Sequence, residues 1–388
     1  MPPPNSSTSS SDPPVASAGR RFIVGGFSLK KLVKTTCFFL LFLALFELLI
    51  WAAFTKTGLA EGSMRRYLWY GTSFEAKLRE MVNTPNQPDS SVLYAGWLGD
   101  DRLRSLPKEA DLTVYGMSFS ANLGKAISEL RPQLSQRFVG GPGSPLSHTY
   151  SIYQVDKKLR RTRFAIIGVT SGAVQEVVLM SRGSLSPDVA FPFFFPRYKL
   201  DNGKLVLAAN SLINSAGELR AALDDPRFWE RQLAVLAAND TAYRRFFFAS
   251  DVLDNSVIGR FVRRGMGKRH AEAYSSKVLG PDGFHRDQEA PQLFRALLRQ
   301  MVKEVRAENV VPIVALFSLQ GDRNYLYSLV EDILREEAVP YINSNDFCRS
   351  DDRGAYLPNL HFTHDCDLKF AQRTLELIDA NDKRGDNK

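Results

Sequence analysis

An α/β domain, three layers deep with a parallel sheet between two layers of helices, is the fold that this chain predicts. Two observations carry it. Short apolar runs of strand length alternate with longer amphipathic runs from Leu112 almost to the C-terminus, and that alternation gives a parallel sheet with helices on both faces. A separate apolar run, Thr35 to Thr55, is about as long as the roughly 20 residues needed to cross a bilayer.

The elements follow in order. Residues 1–34 are a basic tail, rich in Ser and Pro up to about residue 19, a composition that favours disorder. Residues 35–55 are the membrane-spanning helix. Arg20, Arg21, Lys30, Lys31 and Lys34 precede it and only Lys56, Arg65 and Arg66 follow closely, which predicts a cytoplasmic N-terminus and an exported remainder. Glu47 interrupts the span; it either snorkels or meets a partner helix. Residues 56–110 read as a neck and linker. The main domain, 111–388, opens with a strand at Leu112–Tyr115, a helix at Ala121–Leu130, a strand at Gln136–Val139 and a strand at Phe164–Val169.

From about 187 to 289 the alternation breaks, and the segment reads as a helical or irregular insertion dense in Arg and aromatic residues. Phe193-Phe194-Phe195 and Phe246-Phe247-Phe248 suit either a small core or, with neighbouring arginines, a sugar- or lipid-facing surface. Alternation resumes with a helix at Pro291–Ala307, a strand at Val310–Phe317, a helix at Asn324–Glu337, a strand at Val339–Ile342 and a closing helix at Cys366–Ile378.

Composition excludes some classes. Hydrophobic residues are 44% and charged residues 24% of 388, ordinary for a folding chain. The net charge of +8 suits an acidic glycan, an anionic membrane surface or nucleic acid and does not choose among them. No zinc-type Cys/His spacing, phosphate loop or dinucleotide fingerprint occurs, so neither metal nor cofactor is expected, and no nucleic-acid motif is present. Cys348 and Cys366 flank a histidine region and can pair in an oxidising compartment, or remain two buried thiols.

Ligands of parallel sheets sit at the carboxyl ends of the strands. Four segments gather there: Gly116-Met117-Ser118 after the first strand, Gly140-Gly141-Pro142-Gly143-Ser144 after the second, Gly168-Val169-Thr170-Ser171 after the third, and Asn359-Leu360-His361 before the last helix. Acyl transfer needs a hydroxyl nucleophile, a base within reach of it and donors for the developing oxyanion. Ser118 can be the first and His361 the second. The Ser118 backbone with Gly141, Gly143, Thr170 and Ser171 can supply the third. The plainer readings are a helix-capping serine and a packed histidine. His364 is a local rival to His361, whereas His148, His270 and His285 read as ordinary surface or loop residues.

These blocks, from about Asp111 onward, resemble the SGNH (GDSL-like) hydrolase and acyltransferase superfamily, especially membrane-anchored members that modify bacterial polysaccharides. The resemblance implies an SGNH-like fold, a Ser-His catalytic pair and a place in the bacterial inner membrane with the C-terminal domain periplasmic. It also implies polysaccharide or acylated-glycan substrates and other polysaccharide-assembly membrane proteins as company. The chain departs from the pattern at Met117, where the family has Asp, and at Thr170, where it has Asn. It departs again at Asn359, which stands where an Asp would orient His361 and stabilise its charged form; Asp351, Asp352 or Asp365 would have to supply a carboxylate instead. Two expectations follow: an esterase or O-acyltransferase of extracellular polysaccharide, or a catalytically impaired relative that binds glycan or assembles an export complex.

Overall fold

The computed structural model describes residues 29–56, 68–83, 102–186, 188 and 191–385. The tail up to residue 28 and most of the expected linker, 84–101, lie outside them. The chain divides into two compact units, residues 1–57 and 58–388.

In the first unit a single helix, Leu29–Lys56, contains the stretch Lys30–Ala52, long and apolar enough to cross a membrane. It starts six residues before the expected boundary because Lys30, Lys31 and Lys34 are themselves good helix formers. Most of its large side chains, among them Phe38, Phe42, Leu48 and Leu49, are more than half exposed. A helix apolar on every side and packed on little protein suits lipid better than water.

The described residues of the second unit form nine strands: β1 Glu109–Tyr115, β2 Gln136–Val139, β3 Arg161–Thr170, β4 Arg197–Asp201, β5 Lys204–Ala209, β6 Leu279–Gly280, β7 Gly283–Phe284, β8 Val311–Phe317 and β9 Tyr341–Asn343. Five form one parallel sheet in the order β2-β1-β3-β8-β9. The strand order reverses at β1 and β3, so the crevice beyond their carboxyl ends is where a ligand is expected.

Period-two alternation divides the sheet's side chains between two cores. Leu112 and Val114 of β1, Phe164 and Ile166 of β3, and Ile313, Ala315 and Phe317 of β8 face helices Ser118–Leu130 and His364–Gly385. Tyr115, Ala165, Ile167, Val169, Val314 and Leu316 face helices Leu146–Asp156, Glu289–Ala307 and Tyr325–Glu336. The architecture is therefore α/β/α around a central sheet whose five strands are all parallel. Each fully buried aliphatic or phenyl side chain contributes roughly 1.5–3 kcal/mol, enough to fix the register.

Several sequence expectations need correction, and one helix carried no sequence signal. The helix Leu146–Asp156 carries no period-3.6 stripe because it is buried on nearly every side, Leu146 to Tyr153 and Asp156 included. Within it His148 is 1% exposed and lies against Phe195, so it is a core residue, not a surface or loop one. His270 likewise sits in the helix Val257–Val278, bonded to the Ala242 carbonyl. The expected neck contains the helix Phe74–Asn83, whose Phe74 and Leu78 are fully buried among Phe193, Phe194, Phe195, Trp229 and Phe248. That same cluster makes the phenylalanine runs a core and not a sugar platform. Finally, the insertion is not purely helical: β4 and β5 form a hairpin whose turn uses Asn202 (φ 48°) and Gly203 (φ 75°), a pair suited to that backbone.

Candidate active site

The serine turn is shaped by glycines. Gly116 has φ +142°, a conformation that side chains rarely adopt, and it swings the chain from β1 into the helix that starts at Ser118. A Cβ on Gly140 would lie 1.7 Å from the Gly116 carbonyl oxygen, and one on Gly168 would lie 1.9 Å from Ser120 Oγ. The ends of β1, β2 and β3 thus converge more closely than any side chain allows. Met117 occupies the N-cap position of the helix, so Ser118 is its first residue, not its cap.

The half-buried Ser118 hydroxyl meets His361: Oγ and Nε2 are 2.7 Å apart across 243 residues of sequence. The histidine rides on a turn closed by Leu357 N–H to the His361 carbonyl at 2.7 Å, with Leu360 at φ 68°. Its ring stacks on Phe119, centroids 4.9 Å apart. The disulfide Cys348–Cys366 closes the loop containing this turn.

Asn359 does not hold the ring. Its Oδ1 accepts the backbone N–H of His361 at 3.2 Å, and the buried Nδ1 of His361 has no hydrogen-bond partner among the described residues. Nor do the neighbouring carboxylates reach it. Asp351 pairs with Arg349, Asp352 caps the Gly354 N–H, and Asp365 lies exposed in the first turn of the last helix. His364 faces Glu129, 3.4 Å away at the surface. Burial lowers the His361 pKa, the Asn359 backbone beside the ring opposes this, and the charge of Arg182 lowers it further. The balance favours the neutral ring, the form in which it can accept a proton.

The expected oxyanion donors separate. The N–H groups of Ser118, Gly141 and Gly143 have no acceptor among the described residues, and helix-start amides favour developing negative charge. Thr170 Oγ1 is buried, donating to the Met117 sulfur at 3.5 Å and accepting from Ala173 N–H at 3.3 Å. Ser171 is engaged elsewhere: its hydroxyl donates to Asp322 at 2.5 Å and accepts Leu319 N–H at 2.9 Å, tying the end of β3 to the loop after β8. Its only proton is taken, so the oxyanion role expected for Ser171 does not fit this arrangement.

Two residues at this edge carried no sequence signal. Phe119 supplies the face on which His361 rests. Arg182, in the turn Arg182–Ser184, would have its Nη1 2.1 Å from a Cβ placed on Gly143, and its Nε is 3.3 Å from the buried Glu176. Neither belongs to a motif, and only the folded chain brings them here. Among the described residues no cluster of His, Cys, Asp and Glu can hold a metal ion. No protein-family model, curated protein or solved structure matches the chain.

Proposed function

We propose that the protein is a membrane-anchored, SGNH-like esterase or O-acyltransferase whose exported domain acts on acyl esters of an extracellular polysaccharide. One observation carries this reading: the 2.7 Å contact between the Ser118 hydroxyl and a histidine nitrogen, made at the carboxyl edge of a parallel sheet. In the reaction, neutral His361 takes the Ser118 proton as Oγ attacks the ester carbonyl. The tetrahedral oxyanion is met by N–H groups of Ser118 and of the Gly141–Gly143 loop. His361 then protonates the leaving alcohol, and water or a sugar hydroxyl accepts the acyl group.

The test is turnover of 4-nitrophenyl acetate and of an acetylated polysaccharide by the full chain in detergent. Ser118→Ala and His361→Ala should each lower it by about a thousandfold or more, and the double variant should be little worse, because the two act as a unit. Unchanged turnover in Ser118→Ala removes the mechanism. A second reading, a glycan-binding or assembly subunit with impaired chemistry, is favoured by the unpartnered Nδ1 of His361, which lacks the carboxylate that would stabilise an imidazolium. Glycan binding by a wild-type chain that turns over no ester would support that reading.

A further inference from the structure

Arg182 is the cation of the candidate site. Its Nε faces Glu176, which is 7% exposed and carries a second carboxylate oxygen with no hydrogen-bond partner. Its guanidinium also covers the Phe191 ring, 4.5 Å from the centroid. Glu176 behind and Phe191 beside it hold the group in one orientation. The two terminal nitrogens donate no hydrogen bond to any described residue, and the side chain is 29% exposed. Gly143 is the residue that makes room for it: at φ +64° and with no Cβ, it lets Nη1 lie against the backbone of the loop that abuts Gly116. A guanidinium with a buried counter-ion on one edge and two unengaged donors on the other is built to take a planar oxyanion.

We infer that Arg182 is a specificity residue that receives an anionic group, carboxylate or phosphate, of the acylated substrate beside the Ser118–His361 pair. The inference rests on the functional reading above for the word acylated, and on Arg182 itself for the charge. Glu176 acts through Arg182 as a positioning residue. Its carboxylate faces the Nε edge and leaves the two terminal nitrogens open to a second anion.

Two arms test this with the full chain in detergent. In the first, kcat/KM is measured for acetyl esters whose alcohol portion carries a carboxylate, a phosphate or a neutral group of similar size. The wild type should favour the anionic esters, and Arg182→Gln should reduce the anionic-to-neutral ratio at least about tenfold, with Arg182→Lys between them. An equal fall for all esters would make Arg182 a general oxyanion donor and overturn the inference, as would an unchanged ratio. In the second arm no turnover is needed. Ser118→Ala protein is titrated with short uronate, glycerol-phosphate and neutral glucose oligomers. Tighter binding of a charged oligomer, lost with Arg182→Gln and weakened by salt, supports the inference even if no ester is turned over, and then only the esterase reading fails. Which charged oligomer binds identifies the anion. Equal binding of all three oligomers, or of none, overturns the inference. Glu176→Gln should weaken charged-oligomer binding while Arg182→Lys partly retains it, a pattern that loss of folding would not produce.

Discussion

Asn359 holds the main chain of His361 and not its ring: Oδ1 accepts the His361 N–H, and no described residue accepts a hydrogen bond from the buried Nδ1. Asn359 thus serves the turn, and stacking on Phe119 fixes the imidazole plane. Asn359→Asp would keep the turn bond and add a negative charge close to the ring. We expect esterase turnover to rise or stay level; a fall of tenfold or more would mean that the amide itself is needed.

The depressed pKa of His361 predicts where activity is lost in acid. Protonated imidazole cannot accept the Ser118 proton, so turnover should fall as pH drops through a value below the ordinary histidine pKa of about 6.5. Arg182→Gln removes one of the causes and should move that limb to higher pH. A pH profile of kcat/KM reads both; a limb at or above 6.5 in the wild type contradicts the assignment.

The Cys348–Cys366 bond closes an 18-residue separation that contains both Asn359 and His361. Restricting the unfolded chain over such a loop is worth about 3 kcal/mol. Replacing both cysteines with serine should lower stability to chemical denaturation by that order and reduce turnover more than it reduces helix content. Two freely alkylated thiols in protein isolated from its native membrane would contradict the bond.

Lys77 predicts an unusual alkaline dependence. Its ammonium is fully buried, donating to the carbonyls of Tyr70 at 2.9 Å and Thr72 at 2.7 Å, and burial pulls its pKa down to about 7. An unfolded lysine titrates near 10.4. Between those values the unfolded chain carries a proton that the folded chain has released, so folding stability should increase with pH from about 7 to 10 and be flat below. Lys77→Met should flatten that slope. Denaturation midpoints at pH 7 and 9.5 decide it, and equal slopes in the two proteins would remove Lys77 as the cause.

The imbalance of basic residues around the apolar helix predicts that the C-terminus lies outside the cytoplasm. A reporter active only in the cytoplasm, fused after Lys388, should be silent. Strong signal from it would place the second unit inside.

How much was legible in the sequence varies by element. β2 reads to the residue, Gln136–Val139, because a short run between polar residues and a glycine cluster leaves no other register. The helix Ser118–Leu130 begins three residues earlier than its apolar pattern, since a buried glycine-led turn and not periodicity sets its start. Leu146–Asp156 was hidden for the opposite reason, being buried all round. At the site, Ser118 and His361 stand out because each lies at a junction between elements. Arg182 and Phe119 do not, because their roles depend on contacts across 39 residues to Gly143 and 242 residues to His361 that no local pattern records.

The floor beneath the serine has a consequence for how such a chain can vary. At Gly116, Gly140 and Gly168 even a methyl group would collide with backbone or with Ser120, so Ala at Gly140 should destabilise by about 3 kcal/mol or more. These positions are closed to diversification by drift or by library selection. New specificities have to be written where side chains stay partly exposed, at Phe191 and Arg182.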